Sequence, residues 1–332
     1  MGAKKTLVQA NLEDIIKIYE RTGSYTKTAR EFCKAAGESF SDKWRRCISR
    51  EINEHFEDDV VYQELKRKNN QAKILIFDIE TAPALSYIWG AWNQNPGSNL
   101  SMIQNEWFMF SWAAKWLFEE DVMSDKLTSK EAVSQSDGRL VKGLWDLIEE
   151  ADIVVAHNAL KFDVKRMNTR FLKAGLMPPM PYQVIDTLVH ARRKFALLSN
   201  KLDHLADFLD LEGKMKHSGF SLWDRCYKGE PEALEEMEVY NIQDIAVLEE
   251  VYLKLRPWIN PHPNIGLFVE DDVQACPACG SDSLDWSGTK PYRTYVNEYS
   301  AFRCNNCGSV GRSRKSDTTA QQKKNLTVSV PK

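Results

Sequence analysis

The 332-residue sequence predicts an α/β protein in which helices cover a mixed sheet, with a small all-helical module before it and a cysteine-rich module after it. Three observations support this fold class. Residues 11–66 have helical periodicity throughout. From residue 73 onward, strand-like apolar runs come first and then alternate with helices. Two Cys-x2-Cys pairs follow a proline-rich linker near the C-terminus.

The first 72 residues are predicted to form the helical module. Three helices joined by tight turns are expected between residues 11 and 56, and capping residues and glycines mark their ends. The last helix would carry Trp44, Arg45, Arg46 and Arg50. This arrangement resembles a helix-turn-helix unit, whose last helix enters a DNA groove. Three-helix units also bind proteins, so both functions stay open.

The central domain is predicted to span residues 73–258. Apolar or aromatic runs predict strands at residues 73–80, 85–92, 107–118, 152–158 and 181–188. Helical periodicity predicts helices at residues 138–151, 161–175, 200–211 and 231–255. The short continuous apolar run "DIVVAHN" is typical of a buried parallel strand. Tryptophans at strand spacing are expected in the core, although they could also stack on bases: Trp89, Trp92, Trp107 and Trp112.

Charge is unevenly distributed along the chain. Residues 1–72 carry a net charge of +2, residues 73–288 carry −12 and residues 289–332 carry +7. An acidic centre with basic ends suits a metal-binding site with arms that bind a polyanion. Because no apolar run approaches the ~20 residues that span a bilayer and no signal peptide is evident, we expect a cytoplasmic protein without membrane contact.

Two carboxylates stand at the end of the first predicted strand, in the run "ILIFDIETAP". Asp78 and Glu80 are two residues apart, so they point to the same face of the strand. Two like charges this close repel each other, and a cation between them would turn the repulsion into binding. A strand that ends in an acidic solvated turn is the alternative.

Two further acidic residues stand at or within predicted elements of this domain. Asp163 follows the strand at 152–158 and stands in the first turn of a helix. Asp244 lies within the long helix at 231–255, four residues after Tyr240, so the two share a helical face. The helix is rich in apolar residues here, and an acid in a packed stretch needs a partner.

Three motifs together resemble those of the DEDD exonuclease superfamily: Asp78-x-Glu80, Asn158-x3-Phe162-Asp163 and Tyr240-x3-Asp244. Val239 stands where the sibling branch has a histidine, so the tyrosine-bearing (DEDDy) branch is the better match. The resemblance covers roughly residues 73–256. It implies a ribonuclease H-like fold and a 3′→5′ exonuclease activity.

The resemblance also implies roles for individual residues. Asp78, Glu80, Asp163 and Asp244 would hold two Mg²⁺ or Mn²⁺ ions, directly or through water, for an in-line phosphoryl displacement. Tyr240 would orient or deprotonate the attacking water. The terminal nucleotide would be bound by Thr81, Asn158 and Phe162. Lys201, which precedes a helix, is a further candidate for phosphate contact.

The C-terminal cysteines predict a metal site. Two Cys-x2-Cys pairs separated by 24 residues, each followed by a glycine, supply four thiolates, which suit one tetrahedral structural Zn²⁺. The ligands would be Cys276, Cys279, Cys304 and Cys307. The module, at 268–315, resembles a zinc ribbon, and residues 316–332 are expected to form a flexible basic tail. The basic and aromatic residues of the cysteine-rich module favour nucleic acid as its partner, and a replication or repair protein is the second candidate.

We therefore expect a metal-dependent 3′→5′ exonuclease that acts on DNA or, as the second choice, on RNA. Two other functions remain open for the same fold. One is a structure-specific endonuclease that uses the same metals, and the other is a nucleic-acid-binding protein without catalysis.

Overall fold

The computed structural model describes residues 7–22, 25–39, 41, 44, 47–48, 50–52, 72–90, 92, 95, 99–211, 219–269 and 273–330. The chain divides into two compact units, Met1–Gln71 and Ala72–Lys332. Within the described residues, no helix is both long and apolar enough to cross a membrane.

The first unit contains helices α1 (Leu12–Thr22) and α2 (Tyr25–Ala35). Three side chains of the following segment, Trp44, Ile48 and Ile52, are buried against the apolar faces of these helices. This packing explains the helical periodicity of the segment. Arg45 and Arg46, the residues expected to contact DNA, lie outside the described residues.

The second unit is built on a five-stranded mixed sheet with the order β5–β4–β1–β6–β7, so the predicted fold class is confirmed. The strands of this part are β1 (Ile74–Thr81), β2 (Leu85–Ser86), β3 (Ile103–Asn105), β4 (Met109–Trp116), β5 (Met123–Lys126), β6 (Ile153–Ala156) and β7 (Gln183–Asp186). Strand β1 lies at the centre, antiparallel to β4 and parallel to β6.

Helices cover both faces of this sheet. They are α3 (Ser129–Ser134), α4 (Gly138–Glu150), α5 (Asp163–Lys173), α6 (Thr187–Lys194), α7 (Leu202–Phe208), α8 (Phe220–Tyr227) and α9 (Pro231–Leu255). Phe77 and Ile79 of β1 pack in a core with α4, α5 and α8. Ile74 and Ile76 pack in a second core with α6, α7 and the C-terminal half of α9. The alternation of β1 side chains between these two cores decides which way its acids point.

The strand predicted at residues 85–92 is wrong beyond its first two residues. Strand β2 pairs with the short β3, outside the five-stranded sheet, and the described residues that follow it, 87–90, are exposed. Trp89 and Trp92 are 95% and 85% exposed, and their placement in the core is therefore also wrong. Trp112, by contrast, is buried in the sheet, where its indole N–H donates to the Leu140 carbonyl.

Several short elements were not predicted from the sequence. Strand β5 is the edge of the sheet and has the half-buried polar sequence Met-Ser-Asp-Lys, which shows no apolar alternation. Helix α3 has six residues and is held by a capping box between Thr128 and Glu131. Both depend on tertiary neighbours more than on local apolar pattern.

The C-terminal part of the second unit contains the cysteine-rich module. Its elements are β8 (Leu284–Asp285), β9 (Tyr292–Arg293), β10 (Glu298–Tyr299), β11 (Ala301–Cys304), β12 (Val310–Arg312) and α10 (Ala320–Asn325). Strands β12, β11 and β8 form one small sheet, and β9 pairs with β10. The module is joined to the turn after α9 by a hydrogen bond from the Ile265 N–H to the Pro277 carbonyl.

Candidate active site and zinc site

Strand β1 places two carboxylates on the face of the sheet that α9 covers. Asp78 and Glu80 continue the register of Ile74 and Ile76, which pack against α9. Their cross-strand neighbours on β4 are the small residues Ala113 and Ser111, and a bulge between Glu80 and Thr81 ends the regular pairing. Small neighbours leave room beside the strand for the two acids.

Helix α9 brings a third carboxylate to the same place. Asp78, Glu80 and Asp244 each offer one carboxylate oxygen, and these atoms lie within 4.8 Å of one another. The phenol of Tyr240, one turn earlier on α9, is hydrogen-bonded to Asp244. The i,i+4 spacing read from the sequence thus corresponds to a direct contact in the structure.

Asp163 belongs to the electrostatic environment of this cluster, although it is not one of the three acids within 4.8 Å. It begins helix α5, is 1% exposed, and neither of its carboxylate oxygens has a hydrogen-bond partner of normal geometry among the described residues. Desolvation raises its pKa to about 7, although the backbone N–H groups of Asp163 and Ile79 lower it. A buried carboxylate without a partner is costly unless it binds a cation.

Burial raises the pKa of the other acids in the same way. The pKa of Glu80 is raised to about 8, first by desolvation and then by the charges of Asp244 and Asp163. Desolvation likewise raises the pKa of Asp78 well above its ordinary range and that of Asp244 to about 6. Because all four acids resist ionisation, the site lacks the positive charge that would stabilise their carboxylate forms.

Two polar residues that support the cluster were missed from the sequence. The Asn241 Nδ2 donates to the Asp78 Oδ2 at 2.7 Å, and the Trp223 indole is hydrogen-bonded to Glu80. Asn241 is fully buried and interrupts a buried apolar stripe on α9 that includes Met237 and Ile245. A polar residue within such a stripe was the available signal. For Trp223 the local sequence offers none, because its contact depends on how α8 packs.

The donor set of this cluster fits divalent cations. Clustered carboxylate oxygens are the preferred ligands of Mg²⁺ and Mn²⁺. Asp163 adds an uncompensated negative charge beside them. The residues present are therefore suited to holding such ions, with Asp78, Glu80 and Asp244 as the closest group.

Two of the residues expected to bind substrate are joined by an arginine. The Arg166 Nη1 donates to the Thr81 Oγ1 at 2.7 Å. The guanidinium carbon lies 4.4 Å from the ring centroid of Phe162 and 4.6 Å from that of Trp107. Arg166 thus holds Thr81, Phe162 and Trp107 together beside Asp163.

The other two expected substrate-binding residues line one groove. This groove of about 590 Å³ includes Asn158, Arg192, Lys201 and Asp203. Asn158 has a φ of +74°, and its N–H donates to the carboxylate of Asp186. Asp203, on the wall of the groove, lies within electrostatic range of the acid cluster, because its charge contributes to the raised pKa of Asp244.

Two residues beside this groove, His157 and Asp186, make hydrogen bonds that stabilise the fold. His157 contacts the Thr187 hydroxyl at 2.9 Å and the Asn200 carbonyl at 2.9 Å, and burial lowers its pKa. The Asp186 carboxylate accepts the N–H of Val189 and so caps helix α6.

The four C-terminal cysteines meet in one place. Their sulfur atoms lie within 4.8 Å of one another, with Sγ–Sγ distances of 3.6 Å for Cys276–Cys307 and 3.7 Å for Cys279–Cys304. A tetrahedral Zn²⁺ with Zn–S bonds of about 2.3 Å requires sulfur separations of about 3.8 Å. The cluster therefore has the dimensions of a zinc site.

The two cysteine pairs form matching turns. The N–H of Gly280 donates to the Cys276 carbonyl, and the N–H of Gly308 donates to the Cys304 carbonyl. Both glycines have a positive φ, +74° and +76°, a backbone conformation that other residues rarely adopt. The glycine after each pair lets the backbone fold back around the sulfur atoms.

The metal-free protein is expected to lose stability as the pH rises from about 5 to about 8.5. Folded Glu80 keeps its proton up to a pKa of about 8, whereas an unfolded chain releases it near 4.5. The folded state therefore binds more protons over this range, and its free energy of unfolding falls with rising pH. In the Glu80→Gln variant, the free energy of unfolding should fall by about 2–4 kcal/mol less than in the wild type over this pH range.

Urea unfolding of the wild type and of Glu80→Gln in EDTA, at the low and the high end of this pH range, measures the difference in their pH dependence. The half-buried histidines His157, His190 and His262 have lowered pKa values and act in the opposite direction, but equally in both proteins. Added Mg²⁺ should restore the stability of the wild type at high pH more than that of Glu80→Gln. Equal pH dependence in the two proteins would contradict the raised pKa of Glu80.

The fold is a mixed sheet covered by helices, and its clustered acids beneath a long helix form a site that can hold divalent cations. A profile of the RNase_H superfamily matches residues 75–256, more than half of the chain, and the chain belongs to this superfamily. Membership supports a nuclease activity in general. No curated protein matches the sequence.

Among solved structures, the chain is similar to a family B DNA polymerase from the hyperthermophilic archaeon Pyrobaculum calidifontis. The identity is 16% and the TM-score is 0.41, over 56% of this chain and 25% of that one. The chain thus matches about a quarter of the polymerase's length.

Proposed function

We propose that the protein is a DEDDy-type 3′→5′ exonuclease that hydrolyses DNA, with RNA as the second candidate substrate. The observation that carries this proposal is the convergence of Asp78, Glu80 and Asp244 beside buried Asp163, with the Tyr240 phenol hydrogen-bonded to Asp244. We place the catalytic domain at residues 73–258, between the helical module and the zinc ribbon.

Different residues of this chain would bind the ions, orient the attacking water and control the protonation of the site. Asp78, Glu80, Asp163 and Asp244 would hold two Mg²⁺ or Mn²⁺ ions. When bound, these ions would supply activation of the attacking water and neutralisation of charge on the departing 3′ oxygen. In-line attack of water on the last phosphodiester breaks its P–O3′ bond and releases a nucleoside 5′-monophosphate.

Tyr240 is better suited to orient the attacking water than to deprotonate it. Burial, followed by the charges of Asp244 and Glu80, raises the pKa of the phenol above its ordinary value of 10. In the metal-free protein the group therefore stays protonated at neutral pH and donates a hydrogen bond. Its contact with Asp244 fixes the direction of the phenol.

The substrate strand would enter through the groove near the acids. Arg192 and Lys201 supply positive charge there, and Asn158 lies on its wall. Thr81 and Phe162, held by Arg166, would contact the terminal nucleotide. These positions support a strand that ends at the acid cluster, as an exonuclease requires.

The proposal is tested with 5′-labelled single- and double-stranded DNA and RNA in Mg²⁺ or Mn²⁺, read as product ladders. We expect single-nucleotide shortening from the 3′ end that EDTA abolishes. Efficient internal cutting of a 3′-blocked strand would instead indicate an endonuclease. Binding without any cleavage in either metal would indicate a non-catalytic nucleic-acid-binding protein.

The Tyr240→Phe variant is expected to lower kcat by about 10–100-fold with little change in KM. The substitution removes only the hydroxyl group whose oxygen would orient the water, a contribution of the size typical for one hydrogen bond in a charged site, about 1.5–3 kcal/mol. Tyr252→Phe is the matched control, because that phenol on the same helix contacts His262 at 3.0 Å instead of the acid cluster. Steady-state kinetics of both variants make the test, and an unchanged kcat in Tyr240→Phe would exclude this role.

A further inference from the structure

The zinc ribbon carries a cluster of aromatic rings and an arginine that the zinc site does not use. The guanidinium of Arg312 on β12 lies 3.9 Å from the ring centroid of Tyr299 and 5.4 Å from that of Tyr292. The two rings are 6.4 Å apart, and both Tyr292 and Arg312 are exposed. A planar cation and π-faces are therefore presented together on the surface.

This part of the chain has a large excess of positive charge. Residues 289–332 contain nine Lys and Arg and only two acids, Glu298 and Asp317. Both acids have partners, since Glu298 pairs with Arg293 and Asp317 accepts from the Ser300 hydroxyl. Arg314 and Lys315 are exposed and form no ion pair with any residue that the structure describes.

The cluster is separate from the contacts that attach the ribbon to the catalytic domain. Attachment uses the first cysteine turn, where Pro277 accepts the Ile265 N–H. Arg312 instead donates to the neighbouring Ser313 carbonyl and packs on the two tyrosines. Tyr295, in the loop between β9 and β10, is 99% exposed.

We propose that this surface binds an unpaired nucleic-acid strand. Arg312, Arg314 and Lys315 would contact phosphates, and bases would stack on Tyr292 and Tyr295. A basic surface with accessible aromatic rings is the combination by which proteins hold single strands without sequence preference. The excess positive charge favours a polyanion over a protein partner.

This contact is independent of the catalytic site and adds to it. A strand long enough to reach both regions would be held more tightly than one that fills only the groove beside the acids. The ribbon would thus keep a long substrate bound between successive cleavages.

Fluorescence anisotropy with full-length, zinc-loaded protein in a buffer without Mg²⁺, Mn²⁺ or chelator, using 5′-fluorescein oligo(dT)30 as the probe, tests the inference without requiring catalysis. The double variant Arg314→Gln/Lys315→Gln should weaken binding about tenfold and lower the slope of log K against log salt concentration by ~1.4, because each single-strand phosphate contact contributes ~0.7. Tyr295→Ala should weaken binding by about fivefold or more through lost stacking. The same losses are expected with oligo(rU)30, because the contacts are to phosphates and bases.

Lys142→Gln/Lys173→Gln, on α4 and α5 of the catalytic domain, is the matched control with the same change in net charge and should bind like the wild type. Zinc content, measured by atomic emission, verifies that the ribbon variants keep their fold. Wild-type affinity in both ribbon variants, or an equal loss in the control, would overturn the proposal. Exonuclease activity on short oligonucleotides tests the catalytic proposal separately and is expected to persist in both ribbon variants.

Discussion

Replacing Asp78 with asparagine is expected to lower kcat/KM for hydrolysis of single-stranded DNA by at least ~10³-fold. Asp78 is one of the three acids whose oxygens lie within 4.8 Å, and its position is fixed by Asn241. Loss of a metal-binding carboxylate removes several kcal/mol of transition-state stabilisation, and each ~1.4 kcal/mol corresponds to tenfold in rate. Initial rates with a 5′-labelled oligonucleotide in Mg²⁺ measure the effect.

The loss should come from chemistry and not from unfolding. In EDTA at pH 8, Asp78→Asn is expected to be at least as stable as the wild type, because it removes a buried carboxyl group whose ionised form the site disfavours. Asp146→Asn, an exposed acid on α4 that pairs with Lys142, is the control and should keep full activity. Activity within tenfold of the wild type in Asp78→Asn would show that this acid holds no catalytic ion.

Cys304→Ser is expected to abolish zinc binding and unfold the ribbon. The buried apolar core of the module is small: among its described residues, Cys276, Ala278 and Cys304 are buried around the sulfur cluster, and Ala301 and Phe302 of β11 are also buried. Metal binding must therefore supply much of its folding free energy, for which about 10–16 kcal/mol is typical of structural zinc in small peptides. Zinc should fall from about one equivalent per chain to a small fraction, as measured by atomic emission.

Limited proteolysis locates the structural consequence. New cleavage is expected between residues 273 and 316, whereas hydrolysis of short oligonucleotides should persist, because the acid cluster lies on β1 and α9. Cys47→Ser, a cysteine of the first unit, should leave zinc content unchanged. A protease-resistant ribbon without zinc would contradict the metal-dependent folding of this module.

The sequence predicted contacts in the site wherever two functional residues are spaced at the period of a strand or a helix. Asp78 and Glu80 share a face because strand side chains alternate, and Tyr240 meets Asp244 because residues four apart are neighbours on a helix. The cysteine ligands were evident from their spacing alone. That Asp163 lies near the other acids could be expected only through the family resemblance, because it depends on tertiary structure.

The residues that were missed or misplaced depend on packing between distant segments. Trp223 reaches Glu80 only because α8 packs against α9, and no local pattern encodes that contact. Trp89 and Trp92 have the aromatic composition of a strand, but no layer of the fold covers them. Asn241 was the exception, since a polar residue on an apolar helical stripe was visible in the sequence.

The most direct test of the central claim is a crystal structure of the full chain with Mn²⁺, in which anomalous scattering locates the ions. Density between the carboxylates of Asp78, Glu80 and Asp244, with Asp163 nearby and the Tyr240 phenol directed toward it, is the predicted result. A structure in which Mn²⁺ binds elsewhere while these carboxylates stay without a cation would contradict the account.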